Sequence, residues 1–389
     1  MFRDNQMGVY IHWPFCAAKC PYCDFNSHVR GAFDQKEWVE AYVKSLEYYA
    51  ELLPDKQVVS IFFGGGTPSL MAPETVQVMI DAVQRLWPAV NDIEITLEAN
   101  PTSVEIGKFK AFKEAGITRI SLGVQALNDK DLAFLGREHS VDEAFKAIDI
   151  AGECFERYSF DLIYGRPDQT LQDWEAELTR GLSYARGHMS LYQLTIERNT
   201  PFYMQYNRGA FSIPDDVKGA EFYHLTQDIM ESAGMPAYEV SNHAQEGQEC
   251  RHNLVYWRMA DYIGVGAGAH GRFMNALDGS IDKFASRDHS APEIWLKRVQ
   301  EKGYGAHEFE KLNADDRFVE ALMMGLRLRD GVSITRCEAL SGLTFDRVID
   351  GDKLQTVCDA GWAHVTGDQI HLTREGVLRL NALIPFILK

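Results

Sequence analysis

Three cysteines near the start of the chain stand in the run Tyr10-Ile-His-Trp-Pro-Phe-Cys16-Ala-Ala-Lys-Cys20-Pro-Tyr22-Cys23-Asp-Phe25. The C-x3-C-x2-C spacing of Cys16, Cys20 and Cys23 puts three thiols on one loop. Thiolates this close can converge on a single metal centre, and soft sulfur favours zinc or an iron–sulfur cluster. A structural zinc site wants a fourth ligand and usually opens with a C-x2-C knuckle. The fourth place in this run is Phe25, which cannot ligate. Three ligands suit a 4Fe–4S cluster with one iron left open for an exchangeable group.

The loop follows a short apolar strand, and similar strands recur. Val58–Phe63 runs into Gly64-Gly65-Gly66-Thr67-Pro68, and Ile93–Leu97 into Glu98-Ala-Asn100-Pro101. Arg119–Leu122 closes in Gly123-Val-Gln125, a strand holding Asp161 ends at Gly165, and Ser190–Thr195 is a sixth. Helices are expected between them: Phe33–Leu53, one from Ala72-Pro73, Val104–Ala115, Val141–Gly152 and Leu171–Tyr184. Strand–helix alternation implies right-handed parallel crossovers. Six such units between residues 8 and about 196 predict an α/β fold, an incomplete TIM-like (β/α)6 barrel, with its chemistry at the C-terminal strand ends.

Residues 1–200 are therefore expected to form the barrel core. Residues 201–290 read as a helix-rich extension that includes a polar connector from Phe273 to about Pro292. Residues 305–389 read as a winged-helix-like module: helices, then a hairpin turned at Gly367-Asp368, then a last helix over about Thr373–Leu388.

Composition narrows the function. The 389 residues are 46% hydrophobic and 24% charged, an ordinary globular balance. Lys and Arg total 39 against 56 Asp and Glu, a net charge of −17 that disfavours nucleic acid and simple attraction to anionic lipid. The apolar runs are too short to span a membrane, and the first residues lack an apolar signal core, which argues against export. Seven cysteines, three on one loop, fit a reducing cytoplasm better than a disulfide framework.

The glycine turn at 64–66 offers bare backbone for a ligand to approach, and no Lys-Ser or Lys-Thr follows that would make it a phosphate loop. Glu98, Gln125, Arg137 and Asp161 each read alone as solvated loop residues, although Arg137 suits a carboxylate. Further on, His252-Asn253-Leu-Val-Tyr256-Trp257 combines an imidazole, the commonest protein ligand of haem iron, with two rings able to stack on a macrocycle. The bland alternative is a hydrogen-bonded histidine beside two core aromatics. His243 and Cys250 are neighbouring alternative ligands, and Cys154, Cys337 and Cys358 read as small buried apolar residues.

The cysteine spacing resembles that of the radical S-adenosylmethionine (radical-SAM) enzymes, in which the open iron takes SAM. Together with Gly-Gly-Gly-Thr-Pro, Leu-Glu-Ala-Asn-Pro, Gly-Val-Gln and Asp-Leu-Ile-Tyr-Gly-x-Pro-Asp-Gln-Thr, the whole chain resembles one branch of that family. The branch contains oxygen-independent coproporphyrinogen III dehydrogenase and haem chaperones. The resemblance implies that Cys16, Cys20 and Cys23 hold a 4Fe–4S cluster. It also implies that Tyr10, Tyr22, Gly65, Gly66, Thr67, Glu98, Gln125, Arg137 and Asp161 surround SAM, with His270 lining that side. The dehydrogenase carries a further cysteine where this chain has Phe25, and a long segment ahead of the tyrosine where this chain has nine residues. Both departures belong to the chaperone side, as does His252-Asn253-x-x-Tyr256-Trp257, a haem-binding motif there.

The resemblance thus implies a chaperone that binds haem and passes it to an acceptor protein, a membrane respiratory enzyme among the options. It implies a cytoplasmic location, with peripheral placement at the inner membrane through a protein partner left open, as is homodimer formation. Two alternatives stand beside it: radical decarboxylation of coproporphyrinogen propionates, and a non-enzymatic cluster- or zinc-bound scaffold. Whether the chain is an enzyme is left undecided.

Overall fold

The computed structural model describes residues 2–31, 34–275, 277 and 282–389. Its centre is a sheet of eleven strands, numbered here in chain order. These are β1 Gln6–Trp13, β2 Gln57–Gly65, β3 Ala89–Ala99, β4 Arg119–Gln125, β5 Arg157–Tyr164, β6 His188–Gln193, β7 Asn242–Ala244, β8 Asp261–Val265, β9 His270–Asn275, β10 Asp282–Arg287 and β11 Glu310–Lys311. In space they run β11-β10-β9-β8-β1-β2-β3-β4-β5-β6-β7. The six predicted strands β1 to β6 are parallel neighbours in sequence order. The sheet curls without closing, as the incomplete barrel requires.

Alternation decides which side chains enter the lumen. On β1, Met7, Val9, Ile11 and Trp13 are buried beneath the outer helices, and Gly8, Tyr10 and His12 take the opposite face. The same logic turns Glu94, Thr96, Glu98 and Asn100 inward along the third strand, opposite buried Ile95, Leu97 and Ala99. The helix expected from Phe33 runs Lys36–Leu52, with Phe33 itself outside the described residues. Its Trp38, Tyr42, Leu46 and Tyr49 cover the back of the sheet.

Three expectations change. The stretch 273–292 is no connector. β9 and β10 form a hairpin that pairs antiparallel with β8, and β8 itself is a seventh parallel strand beside β1; residues 276 and 278–281 of that stretch lie outside the described residues. Alternating Arg272, Met274 against Gly271, Phe273 hid a strand inside polar sequence. The helix expected over Val104–Ala115 is split into Ser103–Ile106 and Phe109–Glu114 at Gly107, a poor helix former. The last helix is likewise broken, into Arg374–Val377 and Leu380–Ile387.

The C-terminal module has its own core of Phe318, Leu322, Val332, Leu354, Ile370 and Leu383. Three short strands, Val332–Ser333, Ala363–Thr366 and Gln369–Leu372, make an antiparallel wing beside helices Ala314–Gly325, Ile334–Ser341 and Gly351–Asp359. Among the described residues no helix is long and apolar enough to cross a membrane.

Candidate functional site

The cysteine loop leaves the C-terminal end of β1 and is held there by backbone contacts. The Gly66 amide donates to the Trp13 carbonyl at 2.7 Å and the Thr67 amide to Phe15 at 2.9 Å. A Cβ on Gly66 would stand 2.7 Å from the Phe15 oxygen, and one on Gly65, at φ +109°, 2.6 Å from the His12 ring. The glycines are therefore required first by the close approach of the cysteine loop. The left-handed backbone at Gly65 and the crowding at both positions exclude a side chain.

Each thiol is supported differently. Cys16 Sγ accepts from Thr67 Oγ1 at 3.4 Å, and Cys20 Sγ from Arg137 Nη1 at 3.2 Å. The Cys23 amide closes a turn onto the Cys20 carbonyl at 3.2 Å. Burial pushes the Cys16 and Cys23 thiols up, and Cys20 adds to both shifts. Among the described residues, no three His, Cys, Asp or Glu side chains converge as donors to a single ion. A cubane asks for something else, since each thiolate takes a different iron. Three thiols on one loop, none in a disulfide and near enough to raise one another's pKa, fit that group.

Around the loop lies a ring of polar groups. Arg137 also donates to the Gly123 carbonyl at 2.8 Å and to Asn100 Oδ1, and sits against the Tyr22 hydroxyl. Tyr22 leans on Phe202, ring centroids 6.3 Å apart. Gln125 holds φ +74°, a left-handed backbone that a non-glycine residue adopts rarely, and its Nε2 lies over Gly123. Burial pushes the Glu98 carboxyl up to about 8, with Asp161 adding to the shift and the Gly65 amide and Arg119 opposing it. Burial also raises Asp161, to about 6, against the pull of Ser190, Arg119 and Arg137. Both carboxyls thus lie above the ordinary carboxylate range, Glu98 the higher, with the Gly65 backbone beside it. His270 opens β9 on the same rim, exposed; burial lowers the His12 pKa to about 4, and His270 adds to that shift.

Sequence reasoning missed two rim residues. His12 bonds Tyr10 through Nδ1 at 2.9 Å and the Asn26 carbonyl through Nε2, also at 2.9 Å. Asn26 in turn donates to the Ala267 and Ser290 carbonyls at 2.7 and 2.9 Å, pinning the cysteine loop to the segment after β8. The period of two along β1 could have found His12. Nothing local marks Asn26.

The second candidate set lies at the other end of the lumen. Helix Arg251–Trp257 ends three residues before β8 begins, so it sits at the N-terminal ends of the parallel strands. There His252 is buried. Its Nδ1 pairs with Ser60 Oγ at 2.8 Å, its Nε2 with the Tyr256 hydroxyl at 2.7 Å, and its ring stacks on Phe62. Burial pushes its pKa down to about 3. A neutral imidazole has one donor and one acceptor, and both are used. Both His252 ring nitrogens are therefore taken up within the protein in this structure. Asn253 is turned to the Tyr238 hydroxyl at 3.1 Å, and Tyr256 packs edge-on against Tyr262 at 4.5 Å rather than facing a ligand. Of the four, Trp257 lines a cavity against the C-terminal module.

The alternative ligands are equally enclosed. His243 is buried beside Gln227 Nε2 at 3.2 Å, and burial lifts the Cys250 thiol to about 12 against Glu94.

Comparison with known proteins matches residues 10–180 to the Radical SAM superfamily and residues 312–379 to the HemN C-terminal domain. The heme chaperone HemW of Escherichia coli (strain K12) is 34% identical over 390 residues, covering 100% of this chain and 100% of the relative. The mitochondrial radical S-adenosyl methionine domain-containing protein 1 of Danio rerio is 34% identical over 386 residues, covering 98% of this chain and 87% of the relative. A solved structure of the Escherichia coli coproporphyrinogen III oxidase HemN, titled a radical SAM enzyme, superposes with a TM-score of 0.81 at 20% identity. It covers 98% of this chain and 90% of that one, a likeness of fold.

Proposed function

The chain belongs to the HemW family of radical-SAM proteins, and from that membership we propose that it is a haem chaperone: it binds haem and transfers it to an acceptor protein. The observation that carries the reading is the 34% identity to a heme chaperone along the entire chain, with no part of either protein left uncovered. Phe25, 60% exposed beside the third cysteine, supports it, because the dehydrogenase side of the resemblance carries a thiol there.

In this reading Cys16, Cys20 and Cys23 hold a 4Fe–4S cluster and the polar rim holds SAM. When bound, that pair supplies one-electron chemistry at an open iron. The chain's own residues bind and orient. Gly65 and Gly66 keep the approach clear, and the Glu98 and Asp161 carboxyls can hydrogen-bond paired hydroxyls. Gln125, fixed by its left-handed backbone, and Tyr22 flank the same space. Arg137 holds Cys20, Asn100 and Gly123 together, so it positions the loop as well as facing any carboxylate. His270 lines the rim. The acceptor is proposed to be a haem protein such as a membrane respiratory enzyme, met in the cytoplasm or at the inner membrane through that partner. A homodimer belongs to the same proposal.

The deciding experiment takes cluster-reconstituted protein under anaerobic conditions. One aliquot receives SAM, a reductant and coproporphyrinogen III; another is titrated with haem. Saturable haem binding without protoporphyrinogen formation is expected. Sustained decarboxylation would overturn the chaperone reading in favour of haem synthesis.

A further inference from the structure

Two of the three loop thiols take a side-chain hydrogen bond, and both donors lead back to one residue. Thr67 Oγ1 donates to Cys16 Sγ at 3.4 Å, and Arg137 Nη1 to Cys20 Sγ at 3.2 Å. Asn100 Nδ2 donates to Thr67 Oγ1 at 3.4 Å, and Asn100 Oδ1 accepts from Arg137 Nη2. Asn100 is the first residue past β3 and continues the inward period of Glu94, Thr96 and Glu98. Thr67 follows β2 and Arg137 lies beyond β4, so one amide joins two arms that reach the loop from different strand ends.

The chemistry of that amide suits both arms at once. An asparagine offers one carbonyl acceptor and an NH2 group with two donors. A guanidinium can only donate, so it must meet Oδ1, which leaves the NH2 group for Thr67. A hydroxyl has a single proton, and with a lone pair filled from Asn100 that proton is left for the sulfur. Behind Asn100 stands Glu105, a buried carboxylate on the short helix Ser103–Ile106. Its Oε2 accepts from the Asn100 main-chain amide at 2.7 Å and from the Ser69 hydroxyl, and its Oε1 from Asn100 Nδ2 at 3.4 Å. An acceptor in that place fixes which way the amide faces. Ser69 lies two residues after Thr67, so the same carboxylate ties down the turn that carries the Cys16 donor.

We infer that Asn100, oriented by Glu105, is a positioning residue for the cluster: it aims Thr67 and Arg137 at two of the three thiolates and so raises the reduction potential. Hydrogen bonds to cluster sulfurs offset the added negative charge of the reduced state and are one of the levers that set the potential. The inference rests on the three-cysteine cluster and adds what tunes it. The two arms are unequal. Arg137 keeps the Gly123 carbonyl at 2.8 Å without Asn100, so most of the tuning runs through Thr67 to Cys16. The third thiol, Cys23, draws on the Phe25 backbone instead.

The test takes full-length, cluster-reconstituted protein, measures iron per chain, and then follows the midpoint potential by an anaerobic redox titration. Asn100→Ala changes no charge. It is expected to keep its iron and to be about tenfold harder to reduce, a midpoint about 59 mV lower for one electron. Thr67→Val, which removes the hydroxyl at nearly constant shape, is expected to shift the same way. Adding Asn100→Ala to Thr67→Val should then lower the potential by clearly less than Asn100→Ala does alone. A merely structural residue would lower the melting temperature and leave the potential in place; that result, or fully additive shifts in the double variant, would overturn the proposal. Asn100→Ser is the second neutral variant, and loss of iron from both Asn100 variants would make the residue a strut of the loop and overturn it likewise. A wild-type protein that takes up no cluster would instead overturn the cluster reading itself.

Discussion

The two ends of the barrel use the same residue types to opposite ends. At the C-terminal rim Tyr10 and His12 bond each other beside glycines, and the Cys16 and Cys20 thiols accept from Thr67 and Arg137 at the loop's edge. At the floor Tyr256, His252 and Cys250 are locked in pairs: Tyr256 on His252, His252 on Ser60, Cys250 against Glu94 at 3.5 Å. Glu94 also pairs with Arg157 across the lumen at 2.8 Å and accepts the His252 amide at 3.2 Å. Open donors with shifted carboxyls mark a place for ligands. Closed donors mark a place that holds the barrel together. A column of rings joins the two: His252 lies 6.2 Å from Tyr10, whose hydroxyl meets His12 under the cysteine loop.

Breaking each end should give a different loss. The largest effect is expected from Cys20→Ala, which should abolish the cluster, read as iron per chain and visible absorbance, and leave the melting temperature of the cluster-free protein nearly unchanged. Normal iron content would remove the three-cysteine assignment. At the floor, His252→Ala should lower stability by about 3 kcal/mol in urea unfolding, since it opens a cavity and strands the Ser60 and Tyr256 hydroxyls. Iron content should stay as it is. If instead stability holds and haem affinity collapses, the floor opens in solution and the contrast between the two ends fails.

The smallest effect sharpens the rim. Glu98 has a folded pKa of about 8 against 4.5 for the free group. The folded chain therefore holds this proton more tightly than the unfolded one, and ionising Glu98 costs stability as pH rises from about 4.5 through 8. Glu98→Gln should match wild type near the acid end of that window and exceed it by roughly 1–3 kcal/mol above it. Equal stability of the two proteins at both ends would mean that Glu98 is solvated and no part of an enclosed site.

Cysteine spacing put Cys16, Cys20 and Cys23 on one loop in the sequence, and the family resemblance pointed to Glu98, Gln125, Arg137 and Asp161, which the fold brings to the same end of the lumen. Asn26 was not legible, because its partners Ala267 and Ser290 lie more than 240 residues away. The glycines of the Gly264–Gly268 run make room for the chain: a Cβ on Gly266 would meet the His12 oxygen at 2.2 Å, and one on Gly268 the Asn26 amide at 2.4 Å.

Local pattern therefore determined the parallel strands, the thiol loop and the types of group at each strand end. Those follow from period and spacing, which any stretch of chain carries within itself. Whether a group is open or satisfied was decided only by the tertiary structure. His252 and His12 are the same residue on the same lumen, and each has both ring nitrogens bonded, His252 to Ser60 and Tyr256 and His12 to Tyr10 and the Asn26 carbonyl. Tyr256 and Tyr10 lie close by in the chain, whereas Ser60 comes from another strand and Asn26 from the cysteine loop, and these meet the two rings only on folding.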